Sequence, residues 1–177
     1  MDRPRIPTEL VELLESWRGV PVIVRDEHLD VLASNRLARE VSPGFSPGVN
    51  LARFTFLNSW TEDVTDHWAD VSGQVVALLR QELEGRPTDD SFRPLIGDLA
   101  VRSEQFAAIW AGDRATPRGV GTVSSEHPLV GHLELTYQIL EVPDYPGLAL
   151  VVWTAEPGSA SEAALDRLIA IVESEGG

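Results

Sequence analysis

Residues 132–139 read His-Leu-Glu-Leu-Thr-Tyr-Gln-Ile (HLELTYQI), and this stretch decides the fold class. Apolar and polar residues alternate along it, and a period of two is typical of a strand with one dry and one wet face. Strand-like runs at residues 118–124 and 148–154 lie on either side, the second reached through the turn-forming stretch PDYPG at 143–147. The sequence therefore predicts a three-stranded antiparallel meander in this part of the chain.

The N-terminal part of the chain predicts a helix followed by a hairpin. Apolar residues repeat at helical spacing between residues 10 and 17, with Thr8 as the expected N-cap. Residues 20–25 and 29–34 are short runs rich in β-branched side chains, joined by a polar turn that contains His28. These features indicate two further antiparallel strands.

The middle of the chain is predicted to be helical. Ser59 and Glu62 have the spacing of a capping box, and the apolar stripe behind them continues to about residue 84. A second stripe runs from residue 92 to residue 110 and includes Ser103. A last helix is expected after residue 159.

The resulting order is helix, two strands, several helices, three strands and helix, which is the order of PAS domains. It predicts an α+β fold with a five-stranded antiparallel sheet, covered on one face by a helical layer and flanked by N- and C-terminal helices. Residues 1–19 form a linker or N-terminal helix in this interpretation, and residues 20–177 form one PAS-like ligand-binding domain. A ligand is expected in the interior between the helical layer and the sheet.

Composition excludes several classes of function. The chain has 177 residues, no cysteine, and a net charge of −14 from 28 acidic residues and 14 basic residues, all arginine. The absence of cysteine excludes disulfides and thiolate metal sites, and the absence of lysine excludes Walker-type phosphate loops and Schiff bases. The negative electrostatic field of such a chain repels nucleic acid and anionic lipid, so we expect no direct binding of DNA or membranes. The longest apolar run, residues 148–153, is far shorter than the roughly 20 residues of a membrane helix, so a cytoplasmic location is expected.

The chain offers little for catalysis or metal binding. Glu126, His127 and His132 could be drawn as metal ligands, and Ser125 with His127 as a hydrolase pair. Neither set has the spacing or the third partner that its chemistry needs, so His127 is expected to order the loop before its strand. We expect no catalytic residue, no metal site, no cofactor, and therefore no enzyme.

A binding site is more strongly indicated by large side chains and one arginine. Aromatic residues concentrate in the helical middle, and rigid rings that meet at a concave surface are hard to pack without leaving space. Arg80 lies on the apolar side of the long helix, where it could snorkel to solvent or pair with a carboxylate, either a buried Asp or the head group of an acidic ligand. The predicted ligand-binding residues are Phe56, Trp60, Trp68, Leu79, Arg80, Leu83, Phe106, Trp110, Leu133 and Leu135.

Six segments in order resemble the MmyB-like ligand-binding domain of bacterial helix-turn-helix transcription regulators. They are Asp30–Asn35 (DVLASN), Asn50–Leu57 (NLARFTFL), Trp68, Leu79–Arg80, the SEQF of 103–106 with Trp110, and the HPLVG of 127–131. The resemblance covers about residues 8–170. It implies a PAS-like sensor that binds a fatty-acid-like molecule and signals to an N-terminal helix-turn-helix domain, which is not in this chain. DNA would then be contacted only through that separate domain.

One sequence difference and one alternative function bear on the sensor interpretation. Gly112 and Asp113 follow Trp110 where the family usually has a bulkier residue, which leaves ligand choice near that loop undetermined. The alternative function is a protein-interaction module without a ligand, in which the stripe at residues 10–17 forms a homodimer contact. A homodimer is also expected for the sensor.

Overall fold

The computed structural model of the chain describes residues 6–58, 66–86, 88–112 and 116–174. Within these ranges the chain forms five strands and seven α-helices, with one 3-10 turn at Pro43–Phe45. The strands are β1 (Val22–Arg25), β2 (Val31–Ser34), β3 (Val120–His127), β4 (Gly131–Glu141) and β5 (Ala149–Thr154). The helices are α1 (Thr8–Ser16), α2 (Arg36–Val41), α3 (Leu51–Leu57), α4 (Asp66–Gly85), α5 (Phe92–Arg102), α6 (Glu104–Ala111) and α7 (Ala160–Ser174).

All five strands belong to one antiparallel sheet in the order β2-β1-β5-β4-β3. The predicted meander is confirmed, with Ser125 opposite Leu133 and Tyr137 opposite Trp153. The predicted hairpin is confirmed as β1 and β2. The α+β class and the five-stranded antiparallel sheet that the sequence predicts are therefore correct.

The chain divides into two compact units. The first, here the sheet unit, comprises Met1–Asp26, Val31–Gly48 and Gly119–Gly177. The second, here the helical unit, comprises Glu27–Asp30 and Val49–Arg118. No described helix is long and apolar enough to cross a membrane.

In the sheet unit, Asn35 joins the first helix, the hairpin and α2. Its Oδ1 accepts hydrogen bonds from the Val22 and Ala38 N–H groups at 3.3 and 3.0 Å. Its Nδ2 donates to the Trp17 and Val20 carbonyls, both at 2.7 Å. Because Asn35 is only 3% exposed, these four bonds satisfy an amide that burial would otherwise penalise.

The last helix begins after residue 159, as predicted, and two side-chain hydrogen bonds cap its start. Ser159 Oγ accepts from the Glu162 N–H at 3.1 Å, and Glu162 Oε2 accepts from the Gly158 N–H at 2.6 Å. Farther along α7, Arg167 Nη2 donates to the Val130 carbonyl at 3.1 Å. These bonds fix both the start of the helix and its place beside β4.

In the helical unit, helices α3, α4, α5 and α6 enclose a hydrophobic core. Its buried members are Leu29, Ala52, Phe56, Val76, Leu79, Leu95, Leu99 and Phe106. Asn50 caps α3 by accepting from the Arg53 N–H at 3.0 Å, and its Nδ2 donates to Asp30 Oδ1 at 2.7 Å. The cap therefore also ties α3 to the turn after β1.

Two local expectations were wrong, and one helix was missed. Thr8 is the first residue of α1 and not its cap, because Pro7 occupies the N-cap position without a side-chain bond. The stretch from 92 to 110 is two helices, since Ser103 leaves helical geometry at φ −131 and its Oγ accepts from the Phe106 N–H to start α6. Helix α2 was not predicted at all. The expected capping box at Ser59 and Glu62 lies outside the described residues.

Candidate functional site

Arg80 holds the C-terminal end of α6. Its Nη2 donates to the Ile109 carbonyl at 3.2 Å and to the Trp110 carbonyl. The last carbonyls of a helix lack partners within the helix and carry the negative end of its dipole. A guanidinium there is therefore favourable both as a hydrogen-bond donor and as a positive charge. The charge of Arg80 is thus directed to the end of a helix, and among the described residues it forms no ion pair with a carboxylate.

A chain of rings leads from the core of the helical unit to Arg80. Phe56 meets Phe106 edge to face with centroids 5.1 Å apart, and Phe106 stacks on Trp110 at 5.4 Å. The Arg80 guanidinium carbon is 5.2 Å from the Trp110 ring centroid, within the range of a cation–π contact. The half-buried Trp110 therefore connects the buried aromatic core to the cationic side chain.

These two residues line an open cleft of about 400 Å³ in the helical unit. The other lining residues are Leu83 and Glu84 from α4, and Ala111 and Gly112 from the end of α6. The volume lies at the lower end of the range for small-molecule sites, which starts near 300 Å³. The cleft combines apolar surface, one guanidinium and one carboxylate.

The predicted ligand-binding residues fall into three groups. Arg80, Leu83 and Trp110 line the cleft. Phe56, Leu79 and Phe106 are buried in the core behind it. Leu133 and Leu135 are buried in β4 of the sheet unit. Trp60 and the side chain of Trp68 lie outside the described part of the chain.

The predicted ligand-binding residues leave out three of the lining residues, although Gly112 had been noted for its effect on ligand choice. Glu84 follows Arg80 by four positions on one helix, and that spacing places both on the same face, so it could have been found. Ala111 and Gly112 carry no chemical signal of their own. They reach the cleft because α6 ends there, with the Gly112 N–H donating to the Ala108 and Ile109 carbonyls at 3.0 and 3.3 Å.

His127 orders its loop, as the sequence predicts. Its Nε2 is 2.8 Å from the Glu40 carbonyl, and its Nδ1 accepts from the Leu129 N–H at 3.3 Å. Both ring nitrogens are therefore engaged with the backbone, which leaves neither of them to act as a base toward Ser125. Within the described ranges, no group of three or more His, Asp or Glu side chains is arranged to hold a metal ion.

His28 has a larger structural role than a turn residue needs. Its Nε2 is 2.7 Å from Ser91 Oγ, and its ring stacks on buried Phe92 with centroids 4.3 Å apart. Hydrogen bonds from the side chain and backbone of Ser91, with a smaller contribution from the charge of His28, hold the pKa of Asp89 below its usual value of 3.8. This polar group joins residues 27–30 to the start of α5, and nothing in it resembles a binding cavity.

The fold is that of an α+β domain with one five-stranded antiparallel sheet, and its helical unit carries an open cleft. Residues 6–168 match the family model described as the MmyB-like transcription regulator ligand binding domain. The chain belongs to this family, so the resemblance stated from the sequence is confirmed. The family is a regulatory ligand-binding domain of transcription regulators.

Comparison with other proteins adds little detail. The PAS domain of BvgS from Bordetella pertussis is similar over 94% of this chain and 96% of that chain, with 15% identity and a TM-score of 0.35. At that TM-score the likeness supports no statement about ligand or mechanism. No curated protein matches the sequence significantly.

Proposed function

We propose that this domain senses a fatty-acid-like small molecule for a transcription regulator, and that it signals to a separate helix-turn-helix domain, which contacts DNA in the cytoplasm. Family membership supports the regulatory role. The observation that carries the choice of an acid is Arg80, whose Nη2 is occupied by two carbonyls while its Nε and Nη1 form no hydrogen bond within the described residues. Each of those N–H groups can donate a charge-assisted hydrogen bond to a carboxylate.

The binding free energy requires both ends of such a ligand. Burying eight methylenes contributes roughly 6 kcal/mol at about 0.8 kcal/mol each, from which ordering costs are subtracted. Leu83, Trp110 and Ala111 supply apolar surface in the cleft, and Phe56, Leu79 and Phe106, which are buried in the core, remain proposed contacts of the tail. Trp60, Trp68, Leu133 and Leu135 remain proposed contacts of the tail. No cofactor and no catalytic step is needed.

Signalling requires that the ligand bind one conformation more tightly than another, because equal affinities shift no equilibrium. The end of α6 is the element best placed to respond. Its last carbonyls share Arg80 with the cleft, so an acid in the cleft changes the electrostatic surroundings of that helix end.

The test measures binding of decanoate and decan-1-ol by calorimetry to the purified chain, to Arg80→Gln and to Arg93→Gln. Arg93 is the matched control because its side chain is 80% exposed, and it pairs only with an exposed Asp90 at 3.2 Å. We expect Arg80→Gln to weaken decanoate at least tenfold and decanol little, with Arg93→Gln unchanged. Equal losses for acid and alcohol, or no uptake of either by the parent chain, would disprove the proposal.

A homodimer contact is the second candidate role, and one observation favours it. Val11 and Leu13 on α1 are 37% and 41% exposed. The stripe proposed from the sequence is mostly unavailable, however, because Leu14 is buried and Leu10 and Trp17 pack on the core of the sheet unit. A mass that doubles with concentration, and that Leu13→Glu returns to the monomer value, would support this role.

A further inference from the structure

Strand β3 leaves one edge of the sheet open. The strand order is β2-β1-β5-β4-β3, so β4 is the only strand beside β3 in the described part of the chain. The Ile139 N–H donates to the Gly119 carbonyl at 2.7 Å, directly opposite it in the register of the two strands. In an antiparallel pair, only every second residue faces the neighbouring strand in this way. The residues whose backbone groups point away from β4 are therefore Val120, Thr122, Ser124 and Glu126.

The two edges of the sheet differ in how they are protected. Strand β2, at the other edge, has only four residues, and its first and last carbonyls accept hydrogen bonds from the Gly48 N–H and from Arg39. Strand β3 has eight residues, and none of its outward N–H and C=O groups forms a hydrogen bond within the described residues. It contains neither proline nor lysine, which commonly block the pairing of edge strands. Strand β3 is therefore an unprotected template for another strand.

The sequence of β3, VGTVSSEH, is complementary to itself about Val123. Two copies can run antiparallel with Val123 opposite its own counterpart. Thr122 then lies opposite Ser124 of the second copy, and Thr–Ser pairs are favourable between strands. Val120, which is 56% exposed, lies opposite Glu126. All outward N–H and C=O groups of β3 are paired in this register, and no like charges are opposite each other.

We propose that β3 is a dimer interface, in which two copies of this chain pair antiparallel about Val123 and join their sheets into one of ten strands. Any extended peptide can pair with an open edge, but the self-complementary sequence favours a second copy. The contact is small and each copy carries a net charge of −14, so we expect a weak dimer that needs salt to screen the repulsion. Dimerisation through β3 requires no ligand in the cleft, and it is distinct from a contact through α1.

A single introduced cysteine tests the register directly, because the chain has none of its own. In the proposed dimer the two Val123 residues form a non-hydrogen-bonded pair with Cα atoms about 4.5 Å apart, within the range of a disulfide. Ser125 is the matched control, since it lies on the same strand and the same face of the sheet, but roughly 14 Å along the strand from its own counterpart. We expect mild oxidation in about 0.5 M NaCl to link Val123→Cys into a dimer and to leave Ser125→Cys monomeric. Equal linking of both variants, or no link at Val123→Cys, would overturn the proposal.

Sedimentation equilibrium at the same salt concentration compares the parent chain with Thr122→Pro and Thr122→Val. Proline removes the outward N–H of Thr122, and an edge strand tolerates it because that N–H does not face β4. Valine keeps the N–H and the branched side chain, so it is the matched control. We expect Thr122→Pro to weaken the dimer about tenfold or more, and Thr122→Val to bind within about threefold of the parent chain.

The variant Leu13→Glu separates this interface from a contact through α1. We expect it to dimerise as the parent chain does. A parent chain that stays monomeric at about 1 mM, or a dimer that survives in Thr122→Pro but is lost in Leu13→Glu, would overturn the proposal. The cysteine variants decide the matter if circular dichroism shows that Thr122→Pro does not fold.

Discussion

Arg80 contacts Trp110 twice, since its guanidinium lies 5.2 Å from the ring centroid and its Nη2 donates to the carbonyl oxygen of the same residue. The two residues are far apart in sequence, at the last turns of α4 and α6. One side chain thus fixes both the ring and the backbone of the other. The stability of the helix end and the shape of the cleft depend on the same contact.

The first prediction concerns this contact. Arg80→Ala removes the donor of the Trp110 carbonyl and one of the two donors of the Ile109 carbonyl, and it should lower the free energy of unfolding by about 2 kcal/mol. Urea denaturation measures the change. Arg93→Ala, at an exposed position, should have a free energy of unfolding within about 0.5 kcal/mol of that of the parent chain. An equal loss of stability in both variants would show that the bonds from Arg80 to α6 do not stabilise the fold.

The second prediction concerns Asn35. Replacing it with Ala removes four hydrogen bonds in a buried position and should cost about 3 kcal/mol. Asn35→Asp retains the acceptor oxygen but sets a carboxylate against the carbonyls of Trp17 and Val20, so it should also destabilise. Burial raises the pKa of such an acid, so the loss for Asn35→Asp should grow as the pH rises from about 4 to 7. A pH-independent loss would show that the two carbonyl contacts are unimportant.

The third prediction compares two glycines that flank Val120. A Cβ on Gly121 would lie 2.7 Å from ring atoms of Tyr137 on the neighbouring strand, whereas a Cβ on Gly119 would meet nothing within 4 Å. Gly121→Ala should therefore destabilise by about 1–2 kcal/mol, and Gly119→Ala should not. A double-mutant cycle with Tyr137→Ala should remove most of the Gly121→Ala penalty. Persistence of the penalty in that background would place its cause elsewhere.

The fourth prediction concerns pH. Bonds from Ser91 hold the pKa of Asp89 below 3.8, so the ionised form is favoured in the folded state. The ionised Asp89 therefore stabilises the folded state at pH values above about 3.8. This stabilisation is lost as the pH falls through the lower pKa that Asp89 has in the folded state. NMR titration should show the Asp89 pKa rising toward its usual value in Ser91→Ala. An unchanged titration would rule out the Ser91 hydroxyl as a cause, since the backbone N–H bond remains in this variant.

The strands could be predicted from the sequence because alternation is a local property, and 132–139 displays it without interruption. Helix α2 was missed because six residues are too few to show a period, although Asn35 before it is a recognisable cap. The break at Ser103 was hidden because apolar spacing continues across it. Only the bond from Ser103 Oγ to the Phe106 N–H shows that a second helix begins there.

The cleft could be predicted only in part. Arg80 stood out as a charge on an apolar helix face, and Trp110 as one of several clustered rings. Their pairing depends on how α4 packs beside α6, and no local sequence pattern predicts that packing. For the same reason, the buried position of Leu79 and Phe106 could not be distinguished from a place on the cleft wall.

The way Arg80 divides its donors has a consequence for any survey of ligands. A molecule that accepts from Nε or from Nη1 alone would occupy the cleft and leave the tether to α6 intact. A molecule that also draws on Nη2 would give up some binding energy to loosen that tether. Potency as an effector and tightness of binding would then rank a series of acids differently, and a screen by affinity alone would overlook the strongest inducers.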